Sequence, residues 1–194
     1  MLIWVTRLTV DRPLYVSELG ADGEPTARWF ELALLLVVAG GGAIAWAGRD
    51  IRSAGPVLRR WTPSVSLGFA AVFFLFASQV PCTSGCPLPV GNTFTTQDFV
   101  HTVAAVLAFA AACVAMLQAS FVPGRRALSR LSLTSGVTVA LIAAAGGILS
   151  LLRVGTDVGG MLELIATTIA IGWVMVFGGS IVGERSGQSG WVES

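Results

Sequence analysis

The side chains with chemistry to offer are few, and most gather in one stretch. Pro81 to His101, PCTSGCPLPVGNTFTTQDFVH, holds Cys82 and Cys86, two of the three cysteines, with Asp98 and the only histidine, His101. Two thiols four residues apart with Pro and Gly around them can meet in a tight loop. In an oxidising compartment the default is a structural disulfide. The alternative is a redox-active pair, although such pairs usually enclose two residues and this loop encloses three. Asp98 and His101 stand three apart, so on a helix they share a face. One reading is a helix cap, with Thr95, Thr96 or Asp98 in that role, beside a hydrogen-bonded histidine. The other is a metal-binding or proton-handling pair in which Asp98 sets the imidazole tautomer.

Glu163 lies inside an apolar run, roughly 7 to 8 Å below its outer end at 1.5 Å per residue. A carboxylate there costs a few kcal/mol to insert, so it should face a cavity or a partner, with Arg153, Asp157 and His101 as candidates. With one histidine, a metal would need other donors, and Asp98, His101 and Glu163 are the candidate ligands. A bis-histidine haem within one chain is excluded. No serine nucleophile with a base at recognisable spacing occurs, nor a HExxH helix. Cys113 reads as a small buried apolar residue.

The elements that must position these groups are membrane helices. In 194 residues 54% are hydrophobic and 12% charged, and the apolar residues fall into blocks of about twenty, the length that crosses a hydrocarbon layer of roughly 30 Å. The expected fold is an all-α, polytopic transmembrane bundle of five spans: 29–48, 61–80, 98–121, 131–152 and 158–182. Trp29 and Trp46 suit interfacial positions, and Glu31 can reach the headgroup region. Gly40, Gly41 and Gly42 predict a close helix approach, as does Gly179-x-x-x-Gly183, a face through which a protein partner or second copy could pack. Residues 1–28 read as an outer N-terminal loop, 29–183 as the transmembrane domain and 184–194 as a cytoplasmic tail. Met1 to Val5 is too short to span and lacks the basic start of a signal peptide.

All twelve cationic residues are arginine. Arg49, Arg52, Arg59, Arg60, Arg125, Arg126, Arg130 and Arg185 fall on one side, against Arg7, Arg12, Arg28 and Arg153 on the other. By the positive-inside rule the N-terminus is outside, the C-terminus is cytoplasmic and the Cys82–His101 loop faces out, as expected in a bacterial plasma membrane. No basic run suggests nucleic acid, and no Walker loop occurs.

Tyr15 followed by Ser17-Glu18-Leu19-Gly20-Ala21, then Pro81-Cys82, then Asp98 and His101 opening a helix, and last Gly183-Glu184-Arg185, resemble the pattern of the membrane proteins grouped as domain of unknown function 998. The resemblance covers nearly the whole chain and implies a six-helix bundle of unknown biochemical role. In that family a helix precedes the Ser-Glu-Leu-Gly-Ala loop, whereas here only Met1 to Val5 does. This implies a late start or a shortened protein, which translation upstream of Met1 would test.

Glu18, Asp98, His101, Asp157 and Glu163 are thus the candidate polar site, an outward cup built from the 17–24 loop, the 82–101 loop and Glu163. The expected function is a multi-pass membrane component that binds a small ligand, a lipid or a partner protein. The alternative is a membrane enzyme, a metal-dependent lipid hydrolase or a thiol oxidoreductase, using the Asp, His and Cys groups. No cofactor is specified by the chain.

Overall fold

The computed structural model describes residues 2–54, 61–88, 91–152 and 154–189, and not the side chains of Thr93 and 184–189. The readings that rest on Arg59, Arg60 and Arg153, on residues 190–194 of the tail, and on the side chains of Glu184 and Arg185, lie outside the described residues. Six helices make up the described chain: α1 Leu2–Leu8, α2 Ala27–Ala47, α3 Pro63–Gln79, α4 Thr96–Ser120, α5 Arg126–Leu152 and α6 Thr156–Ser189. Single 3-10 turns lie at Ser17–Gly20 and Gly91–Thr93.

Local chemistry explains the boundaries. The Thr62 hydroxyl accepts the Val65 N–H at 3.2 Å with Pro63 in the first turn of α3, a cap followed by a residue whose missing N–H costs nothing there. Pro81 follows the end of that helix. Thr95 caps α4 by accepting the Asp98 N–H at 3.0 Å. Gly124, at φ +78°, makes the turn into α5.

Among the described residues four helices are long and apolar enough to cross a membrane: α2, α4, α5 and α6 as far as Gly183. They mark an integral membrane protein. The apolar α3 has 17 residues, about 26 Å at 1.5 Å per residue. α5 starts five residues earlier than the sequence suggested, which places Arg126 and Arg130 on a helix rather than in a loop. α6 runs on through 184–189, so most of the expected polar tail is helical, as nothing in Glu-Arg-Ser stops a helix already propagating. The two-turn α1 lies within the segment read as loop. A helix this short does not stand alone, and α1 is held by burying Ile3 against Leu14, Leu19, Leu34 and their neighbours and by the Trp4 Nε1–H bond to Thr168 Oγ1 at 2.8 Å.

α2 to α6 pack in sequence, each on the next, and α6 returns to α2. Small residues make the close contacts: Ala104, Ala108, Ala112, Ala115 and Ala119 form one buried face of α4. Trp173 and Phe177 of α6 stack with centroids 5.0 Å apart, and the buried Trp173 Nε1–H is answered by Ser132 Oγ at 2.9 Å. Large side chains such as Leu36, Val106, Leu141 and Met175 point outward, as a hydrocarbon solvent permits.

The glycine run of α2 does something other than expected. No atom lies within 4 Å of where a Cβ on Gly40, Gly41 or Gly42 would sit, and the same holds at Gly179 and Gly183. The close approaches occur instead at Gly178 against Ile44, at Gly136 against Met116, and at Gly159 and Gly160 against Tyr15 and Leu14. Spacing alone identifies glycines, but which of them meets a neighbour depends on helix rotation.

Candidate functional site

Gly159, Gly160 and Glu163 fall within a turn of one another and share a face of α6. The segment from Leu14 to Ser17, which leads into the Ser17–Gly20 turn, lies across that face. A Cβ on Gly160 would collide with the Leu14 carbonyl oxygen, and one on Gly159 with the Tyr15 ring. The two glycines therefore let backbone lie on helix. One turn on, Glu163 Oε2 accepts the Val16 N–H at 2.7 Å, and the N–H and hydroxyl of Ser17 reach the same carboxylate. The partner expected of an intramembrane carboxylate is thus a stretch of main chain.

Glu18 begins the next shell. Its Oε1 accepts the Tyr15 N–H at 3.2 Å, and Arg12 Nη1 stands 3.6 Å from its Oε2 while Arg12 Nη2 pairs with Glu24. Burial raises the Glu18 carboxyl above its ordinary value, against the lowering pull of the Tyr15 N–H and of Arg12. Glu18 and Glu163 are near enough to act on one another electrostatically.

The 81–98 stretch is sewn to this segment and to itself. Cys82 and Cys86 form a disulfide with Cα atoms 5.1 Å apart, around a turn closed by the Cys86 N–H to Thr83 O bond at 2.8 Å. The Asp22 N–H donates to Cys82 O at 2.9 Å, and Gln97 Nε2 donates to both Asp22 Oδ2 and Pro81 O, each at 2.8 Å. Asp98, 1% exposed, accepts from the Thr83 N–H at 2.8 Å, from the Thr83 hydroxyl at 2.9 Å and from the Thr95 hydroxyl. His101 Nδ1 lies 2.8 Å from Val80 O and 3.1 Å from Ala77 O. Two carbonyl acceptors require Nδ1 to carry the proton, so His101 closes the C-terminal end of α3.

The structure thus brings Glu18 to Glu163 and Asp98 to His101, and stitches the two groups together through Asp22, Gln97 and Cys82. Asp157 stays apart, exposed in the first turn of α6. Among the described residues no three of His, Cys, Asp and Glu group closely enough to hold a metal ion: Asp98 is engaged with Thr83 and Thr95, and Glu163 with the main chain at 16 and 17. Sequence reasoning named Tyr15 only as part of a family pattern and Arg12 only as an outer charge, and missed Thr83 and the Gly159-Gly160 pair. Only the double glycine just before Glu163 carried a signal that could have pointed to them.

Beyond this polar end the bundle holds an apolar cavity of about 310 Å³ between α2, α3, α4 and α6. Leu34, Gly41, Phe74, Phe109, Met116 and Ile171 contribute to its wall, Leu2 and Ile3 of α1 complete it, and Thr167 is the single polar side chain on it. Gly41 is buried yet has open space where a side chain would be, and that space is the cavity.

At the other end Gln118, 2% exposed, joins three segments. Its Oε1 accepts from Ser66 Oγ, its Nε2 donates to Trp61 O and its carbonyl accepts from Ser53 Oγ, each at 2.7 Å.

A family model described as "Protein of unknown function (DUF998)" matches residues 12–180. No curated protein and no solved structure matches the chain.

Proposed function

The chain belongs to the DUF998 family, and on that premise we propose that it is a non-catalytic membrane protein that holds an apolar ligand, the hydrocarbon chain of a lipid, inside its bundle. The observation that carries this reading is the cavity beside Gly41. At about 310 Å³ it is roughly twice the ~150 Å³ apolar cavity that takes up benzene. It is open to the outside beside the exposed Leu36 and Met175, so in a bilayer a chain from the surrounding lipid can enter it and cover its apolar walls. The polar end serves as its fixed cover: the Glu163 carboxylate holds Val16 and Ser17, and the same segment carries α1, whose Leu2 and Ile3 face the cavity.

In this reading α2 to α6 are five spans, the short α3 included, with the N-terminus and the disulfide loop outside and the arginine-rich ends in the cytoplasm of a bacterial cell. The hydrolase and oxidoreductase alternatives are less well supported, because Asp98 and His101 are turned to Thr83 and to the carbonyls of α3.

Native mass spectrometry of the detergent-solubilised protein with added long-chain fatty acid tests the proposal. The wild type should retain one acyl ligand. Gly41→Leu, which places a side chain in the void, should lose the ligand while melting no lower than wild type. Retention of the ligand by a folded Gly41→Leu protein would sink the reading.

A further inference from the structure

A second hollow lies on the exposed flank of the α2–α3 pair, at the end opposite the disulfide loop, with a volume of about 650 Å³. Its walls combine small residues of both helices, Gly42 and Ala45 with Gly68 and Ala71, and the larger Val38, Val65, Val72 and Leu75, and its rim carries Arg49 and Arg52. We propose that this groove binds an anionic phospholipid, with the phosphate at the arginine rim and one acyl chain lying along the glycine and alanine wall.

Three features carry the assignment. The first is charge. The Arg49 guanidinium is held 5.0 Å over the Trp46 ring, which orients it without neutralising it, and its ion pair with Asp50, at 4.0 Å between largely exposed side chains, is too weak to compete strongly with a phosphate. Arg49 also donates to Trp46 O at 3.1 Å, which answers one of the terminal carbonyls of α2 that would otherwise repel an anion.

The second is the start of α3, which adds the positive end of a 17-residue helix dipole to the same rim. The third is Ser64. It lines the groove from the first turn of α3 and is 5% exposed, and among the described residues its hydroxyl is the one buried side-chain polar atom without a hydrogen-bond partner. A buried hydroxyl left unpaired costs about 1 to 3 kcal/mol; this one is closed off against Gly48 at the end of α2, and a phosphate at the arginines gains it as a donor when that contact opens. The small-residue wall suits an acyl chain, because no side chain fills the space above Gly42 or Gly68. Basic pockets between membrane helices on the cytoplasmic side are recurrent sites for acidic lipids.

The test is native mass spectrometry of the full chain in neutral detergent, titrated with phosphatidylglycerol and, separately, with phosphatidylcholine of the same chain length. The proposal expects about tenfold higher occupancy by phosphatidylglycerol. The double variant Arg49→Gln, Arg52→Gln should erase that preference, Ser64→Ala should reduce it, and Gly68→Leu should reduce occupancy by both lipids. Gly41→Leu, which fills the separate central cavity, should leave the preference intact. The wild-type comparison needs no variant to fold, and equal occupancy by the two lipids overturns the proposal. So does a preference that survives loss of both arginines, and so does displacement by glycerol phosphate at the same concentration as the lipid, since that would leave the acyl groove without a role.

Discussion

If the 14–17 segment is held on α6 by backbone contact, then adding one methyl group at Gly160 should release it. The Cβ of Gly160→Ala collides with the Leu14 carbonyl oxygen, a main-chain atom that cannot rotate away as a side chain can. The segment must lift, and with it the Val16 N–H leaves Glu163 Oε2, now 2.7 Å away. A hydrogen bond contributes about 0.5 to 1.5 kcal/mol, and overpacking adds about 1 to 3 kcal/mol where relief is incomplete. A loss of about 1.5 to 4.5 kcal/mol in the docking of residues 10–20 is therefore expected. At Gly159 the new methyl meets the Tyr15 ring instead, which can swing aside, so Gly159→Ala should cost about 1 kcal/mol, the low end of that range. Hydrogen exchange in detergent reads this directly. The Val16 amide should exchange roughly tenfold faster or more in Gly160→Ala, on the rule of tenfold per 1.4 kcal/mol, while amides in the middle of α4 and α5 keep their protection. If Val16 is as protected in Gly160→Ala as in wild type, the docking contact is misassigned and the role given to Glu163 falls with it.

Two further outcomes follow from the same polar end. Burial raises the folded-state pKa of Glu18, so the folded chain binds the proton more tightly than the unfolded one; the stabilisation is present below the ordinary pKa of 4.5 and is lost as pH rises through the higher folded value. Melting temperatures of wild type and Glu18→Gln followed upward from pH 4 should therefore diverge, the variant gaining relative to wild type, and parallel curves would contradict the assignment. His101→Ala leaves the carbonyls of Ala77 and Val80 without their donor. It should destabilise the protein by about 1 to 3 kcal/mol, seen as faster exchange at the C-terminal turn of α3, with bound metal equal to wild type by elemental analysis; stoichiometric metal lost on substitution would restore the ligand role.

The helices were legible because a bilayer imposes a length and a composition that one-dimensional pattern reveals. Apolar blocks located α2 to α6 to within a few residues, apart from the start of α5 and the end of α6, where charged residues continue a helix that hydropathy alone cuts short. The disulfide was legible because four-residue spacing in a Pro/Gly loop leaves two thiols little else to meet. The Thr95 cap was readable for the same local reason, as one of three choices.

What only the tertiary structure decided is where each polar group points. Asp98 and His101 share a helix face as their spacing requires, yet spacing cannot say that Thr83 and the end of α3 are already waiting there. Glu163 was expected to need a partner, but its partner is main chain from 147 residues away, and backbone donors leave no trace in residue types. The glycines show the same limit: those at 40–42 border a cavity or open surface while those at 159 and 160 receive another segment, a difference set by the rotation of each helix about its axis. Composition determined that this chain lives in a membrane and which few residues have chemistry; packing turned most of that chemistry inward, to hold the N-terminal segment and the disulfide loop in place, and left the open space to apolar walls and two arginines.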